Sequence, residues 1–113
     1  MIKTSEKDIL KSCIDYLKML RNQGKLLYIR NNSAMGKFER PDGSQGFIRN
    51  NMPGSPDIFV FVKNATLHIE CKSSIGTQSP DQKVWEKTAT NLGHNYYIIR
   101  SVEELAKILS YFK

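Results

Sequence analysis

The residues best suited to chemistry are Asp57, Glu70 and Lys72. They lie within the stretch Pro53 to Lys72, PGSPDIFVFVKNATLHIECK, where two apolar runs flank Lys63-Asn64-Ala65. The runs read as an antiparallel hairpin with a two-residue loop at Asn64-Ala65. That register sets Asp57 opposite Lys72 and Phe59 opposite Glu70. Strand side chains alternate between faces, so Asp57, Glu70 and Lys72 project from one face. Ile58, Val60, Val62, Leu67, Ile69 and Cys71 project from the other, which is wholly apolar and must be buried. A slip of two residues would keep this sorting, whereas a slip of one would destroy it.

Two convergent carboxylates suit a hard divalent ion such as magnesium, which takes oxygen ligands and keeps several waters. A substrate phosphate would complete the shell, and the backbone carbonyl of Cys71 is a further candidate ligand. Lys72 could stabilise charge developing on phosphorus or position an attacking water. No covalent nucleophile is required. The competing explanation is a surface ion pair at strand ends, which contributes little. Glu-x-Lys alone is a weak motif. A Gly-Ser-Pro-Asp turn feeding a hairpin that returns into Glu-x-Lys is much more restrictive, and it favours metal-dependent phosphodiester hydrolysis. His68 shares the Glu70 face, where neutral packing is its simpler role, and His94 is assigned none.

The elements that must hold these residues follow from periodicity. Ser5 precedes a helical stripe of Ile9, Leu10, Cys13, Ile14, Leu17 and Leu20, predicting a helix from Ser5 to Arg21. Glu6, in its first turn, either complements the helix dipole or points into the site. Residues 25–30 predict a strand. The polar stretch Asn31–Met52 lacks sustained periodicity and is expected to be a long loop, with a short strand at 46–49. It carries Lys37, Arg40 and Arg49 interleaved with Phe38 and Phe47, and Arg30 precedes it. These cations are candidates to contact a nucleic-acid backbone; a solvated flap is the alternative. Ser79-Pro80-Asp81-Gln82 marks a second helix start, with Val84, Trp85, Thr88, Ala89 and Leu92 as its expected buried face. Gln82 is a capping residue there, or a site residue by its closeness to the Glu70–Lys72 end. A strand at 95–100 and a helix begun by Ser101 follow. The order α-β-β-β-α-β-α predicts one α/β sandwich around a mixed sheet, with the second helix as a parallel crossover.

At 113 residues the chain suits one domain with a modest core. It has no apolar run long enough to span a bilayer and no signal-peptide core, so the expectation is cytoplasmic. Cys13 and Cys71 fit no metal-ligand spacing and read as small core residues. A net charge of +6 favours a polyanionic partner, nucleic acid first.

Taken together, Gly54-Ser55-Pro56-Asp57, Glu70-Cys71-Lys72, Ser79-Pro80-Asp81-Gln82-Lys83-Val84-Trp85, Gly93 and the Tyr97-Ile98-Ile99 strand resemble the VRR-NUC domain. That domain is the virus-type replication-repair nuclease branch of the PD-(D/E)XK superfamily, and the resemblance spans nearly the whole chain. It implies a restriction-endonuclease-like fold and a DNA endonuclease dependent on magnesium or manganese, with no small-molecule cofactor. Under it, Asp57 and Glu70 match the metal-binding acids and Lys72 the catalytic lysine. Glu6 matches an acid of the family's first helix, and Gln82 the polar residue after the Glu-x-Lys strand. Minimal members of the family look like viral proteins that dimerise and cut branched DNA, including four-way (Holliday) junctions. A two-fold homodimer would present two sites to two symmetry-related strands. Two other classes compete: a non-catalytic DNA-binding module, and a protein-interaction domain whose charge is incidental.

Overall fold

The computed structural model describes residues 4–31, 35–49 and 52–113. Their order is α1 (Glu6–Asn22), β1 (Leu27–Arg30), β2 (Met35–Glu39), β3 (Gln45–Arg49), β4 (Ile58–Val62), β5 (Ala65–Cys71), α2 (Pro80–Asn91), β6 (Asn95–Ile99) and α3 (Val102–Leu109). Four strands form a mixed sheet in the order β1-β4-β5-β6. β1, β4 and β5 are antiparallel neighbours, and β6 joins β5 in parallel through α2. The expected α/β sandwich is therefore present, with α1 and α3 packed together on one face and α2 on the other.

Each helix begins where a side chain satisfies an otherwise unpaired amide. The Ser5 hydroxyl accepts from the Asp8 amide, and the Ser101 hydroxyl from that of Glu104. Ser79 and Gln82 form a reciprocal capping box ahead of α2, with Pro80 at the first helical position. In α1, Ile9, Cys13 and Leu17 recur every four residues and are buried. They meet Ile58, Val60, Leu67, Ile69 and Cys71 from the sheet, and Leu105 and Leu109 from α3. The sheet face expected to be apolar is thus the one under α1 and α3. Cys13 and Cys71 are both free thiols within this core.

Three expectations change. First, the hairpin register differs by two residues: Val62 pairs with Ala65 and Ile58 with Ile69, so the loop is Lys63-Asn64. Asn64 takes the left-handed conformation (φ 63°), which asparagine tolerates, and Ala65 is free to enter the ladder. An even shift leaves each side chain on its predicted face. Second, the stretch expected as a loop with one short strand contains two strands, β2 and β3, paired from Met35↔Arg49 to Glu39↔Gln45. Their connection is a Pro41-Asp42-Gly43 turn. Asp42 Oδ1 accepts from the Ser44 amide and hydroxyl, which holds its carboxyl below the usual range, and Gly43 has φ 86°. Third, α2 buries less than its apolar stripe suggests. Ala89 is buried, but Val84 and Leu92 are 65% and 71% exposed and line an open groove with Met52 and Trp85.

Candidate active site

The observed register brings the two acids closer than the expected one. With Ile58 paired to Ile69, Asp57 stands one step further along, opposite Glu70 rather than Lys72. Its placement rests on the turn before it. Asn31 Nδ2 donates to Ser55 Oγ (2.7 Å) and to the Pro56 carbonyl (2.8 Å), and the Asn31 amide donates to the Asp57 carbonyl (2.8 Å). Gly54 has φ 84°, and a Cβ there would lie 2.3 Å from the Asp81 carbonyl oxygen. Only glycine lets this turn lie directly on the first turn of α2. The far end of the acid is fixed as well: Asp57 Oδ2 accepts from the Cys71 amide at 2.8 Å.

Glu70 is 3% exposed, and its Oε2 is fully buried with no hydrogen-bond partner. Burial pushes its carboxyl up to about 9, and the charge of Asp57 and hydrogen bonding with it push the same way. Lys72 opposes that rise, and Glu6 adds to it slightly. Lys72 is itself buried; its amide donates to the Ile99 carbonyl, extending the ladder with β6, and its Nζ lies 3.6 Å from Glu6 Oε1. Glu6, half exposed at the start of α1, therefore belongs to this constellation as well as to its helix cap region.

The loop after Lys72 is held by Arg100, whose Nη1 donates to the carbonyls of Ser73 and Gly76. A Cβ at Gly76 would stand 3.5 Å from Glu6 Oε1, so this loop closes over the Glu6–Lys72 pair. Asn31 and Arg100 were not among the residues singled out from sequence. An asparagine directly after a strand, and an arginine ending one, are their only local signals.

The remaining candidates are placed as follows. Gln82 Oε1 accepts from the Ser79 amide, so its carbonyl serves the α2 cap. Arg30 is exposed at the end of β1, beside Ile58 and one residue from the Asn31–Asp57 contact. Arg40 Nη1 donates to the Gln45 carbonyl and braces the β2–β3 turn. Lys37 and Arg49 lie on β2 and β3; their side chains fall outside the described residues. His68 is buried, with Nδ1 accepting from Trp85 Nε1 at 3.0 Å. Burial, with His94 nearby, lowers its pKa. It is thus a neutral packing residue whose proton sits on Nε2.

Among the described residues, no three His, Cys, Asp or Glu side chains converge as a metal cluster. The set is two carboxylates, Asp57 and Glu70, with the Cys71 carbonyl between Glu70 and Lys72. This fits magnesium, which is commonly held by one or two carboxylates and otherwise by water and substrate phosphate. The buried oxygen of Glu70, lacking any hydrogen bond, fits a cation better than an ion pair, because an unpartnered polar atom in the interior is costly.

Among the described residues, no helix is long and apolar enough to cross a membrane. Comparisons with protein-family models, curated proteins and solved structures find no match to this chain.

Proposed function

We propose that this protein is a divalent-metal-dependent DNA endonuclease that hydrolyses phosphodiester bonds, with branched DNA such as four-way junctions as substrate and a homodimer as the acting form. One observation carries the reading. A buried, partnerless Glu70 oxygen lies beside Asp57, with Lys72 two residues along the same face. The net charge of +6 and the similarity of the motifs to the VRR-NUC domain support DNA as the substrate.

Asp57, Glu70 and the Cys71 carbonyl would hold magnesium or manganese. When bound, the ion supplies Lewis-acid polarisation of the phosphate and acidification of water. The Cys71 amide fixes the Asp57 carboxylate so that it faces Glu70 without reorganising. Lys72, oriented by Glu6, donates to the phosphoryl oxygen on which negative charge grows. Arg30, Lys37, Arg40 and Arg49 contact backbone phosphates.

The test is a gel assay of cleavage on labelled four-way junction, flap and linear duplex, in magnesium, manganese or chelator. Symmetric, metal-dependent cuts on the junction support the reading in full. Equal cutting of all three substrates removes the preference for branched DNA. No cutting with any metal contradicts the nuclease assignment.

A second reading shares the +6 charge as its basis, although the complete Asp57, Glu70 and Lys72 set argues against it. A site that no longer retains its ion would leave a non-catalytic DNA-binding module. Salt-sensitive binding without cutting would identify it.

A further inference from the structure

Ile75 is a large apolar side chain left 69% exposed, three residues beyond Lys72. An isolated exposed isoleucine on a pliant loop carries no message, but this one sits at the corner of a stapled turn. The Gly76 amide donates to the Ser73 carbonyl (3.1 Å), closing a four-residue turn with Ser74 and Ile75 at its apex. Arg100 Nη1 then donates to both ends of that turn, at the Ser73 and Gly76 carbonyls. Arg100 is in turn tethered, because its amide donates to Glu104 Oε2 at 2.7 Å. The inner side of the turn lies on the Glu6–Lys72 pair, through the place where Gly76 lacks a side chain. The turn that carries Ile75 is therefore stapled at both ends and lies against Glu6, with the isoleucine side chain left in solvent.

Such a side chain next to a phosphate-handling site matches one recognition device: an apolar wedge inserted between bases, unstacking one step. We propose that Ile75 is a specificity-determining residue, entering a break in base stacking beside the phosphate held at Asp57 and Glu70. This rests on the nuclease reading above and extends it to what selects the substrate. In continuous duplex the wedge must open a stacked step against base stacking. At a branch point stacking is already interrupted, so insertion meets less resistance there. The preference for branched DNA thus arises from the turn, while the cut itself belongs to the carboxylates and Lys72.

The experiment uses the full chain and a four-way junction carrying 2-aminopurine at the branch, with a linear duplex of matched sequence. Fluorescence is read in chelator, and cleavage rates are read in magnesium. Wild-type protein should brighten the junction probe on binding, and Ile75→Ala should lose most of that signal. The junction-to-duplex rate ratio should fall about tenfold, a loss of roughly 1.4 kcal/mol of discrimination, and Ile75→Leu should retain both properties. If Ile75→Ala matches wild type in brightening and in rate ratio, the wedge is wrong even though the nuclease reading stands. If wild type brightens the probe in an Ile75-dependent way without cutting, the nuclease reading fails and the wedge survives. Protein that neither binds nor cuts removes both.

Discussion

Asp57 and Cys71 are joined across the β4–β5 hairpin: one carboxylate oxygen of Asp57 accepts the Cys71 main-chain amide at 2.8 Å. The contact couples the acid that opens the hairpin to the residue between Glu70 and Lys72. It explains how a short turn can aim a charged side chain reproducibly. Asp57→Asn retains an acceptor for that amide, whereas Asp57→Ala leaves the amide unpaired at a cost of about 1–3 kcal/mol. Urea unfolding should show the alanine variant clearly less stable than the asparagine variant. Both should fail to cut DNA, since both lose the charge needed for the metal.

Glu70 makes the metal-free protein sensitive to pH. Burial and the neighbouring Asp57 charge push its carboxyl from the ordinary 4.5 up to about 9 in the folded protein. The folded state therefore holds a proton that the unfolded state has released between those values, and stability falls as pH rises through the window. In chelator, the melting temperature should drop between pH 5.5 and pH 8.5, and Glu70→Gln should flatten that drop. Magnesium should restore the wild-type protein at pH 8.5 and leave Glu70→Gln unchanged. A wild-type protein that gains stability over this range in chelator would contradict the burial of a protonated Glu70.

Gly54→Ala tests the turn that presents Asp57. The substitution meets a left-handed backbone and places a Cβ 2.3 Å from the Asp81 carbonyl. The turn must lift off α2, at a cost of about 2–4 kcal/mol. Denaturant unfolding should report that loss. Any folded fraction should cut more slowly than wild type, because Asp57 moves with the turn.

Gln82 and Ser79 can be separated by comparison. They share one capping box, and loss of the Ser79 hydroxyl should cost about 1 kcal/mol. If capping is all that Gln82 does, Gln82→Ala and Ser79→Ala should lower the melting temperature and the cleavage rate in step. A Gln82→Ala rate that falls well beyond that of Ser79→Ala would assign Gln82 to the site.

Much of this was legible in the sequence because it depends on period and punctuation. The alternation from Ile58 to Val62 and from Leu67 to Cys71 determined which face carries Asp57, Glu70 and Lys72, and an even register shift could not disturb it. Ser-Pro-Asp-Gln announced α2 because each residue satisfies a known need of a helix start. The β2–β3 hairpin was hidden because its strands lack clean alternation, although Pro41-Asp42-Gly43 is a turn signal with a mechanism. The exposure of Val84 and Leu92 was not legible, since a helical stripe states what can be buried and not whether a neighbour arrives. Asn31 and Arg100 escaped notice for a related reason: both act on backbone carbonyls distant in sequence, and no local pattern encodes those partners.

The proposed chemistry is hydrolysis of DNA with a divalent ion on the Asp57–Glu70–Lys72 face. Single-turnover cleavage of a labelled four-way junction, comparing wild type with Glu70→Gln and Lys72→Ala, addresses it most directly. Circular dichroism and junction binding in chelator would confirm that each variant is folded. Wild type should cut in a metal-dependent way, each variant at least about 100-fold more slowly, with binding largely kept. Cutting at the wild-type rate by either folded variant would contradict the proposed chemistry.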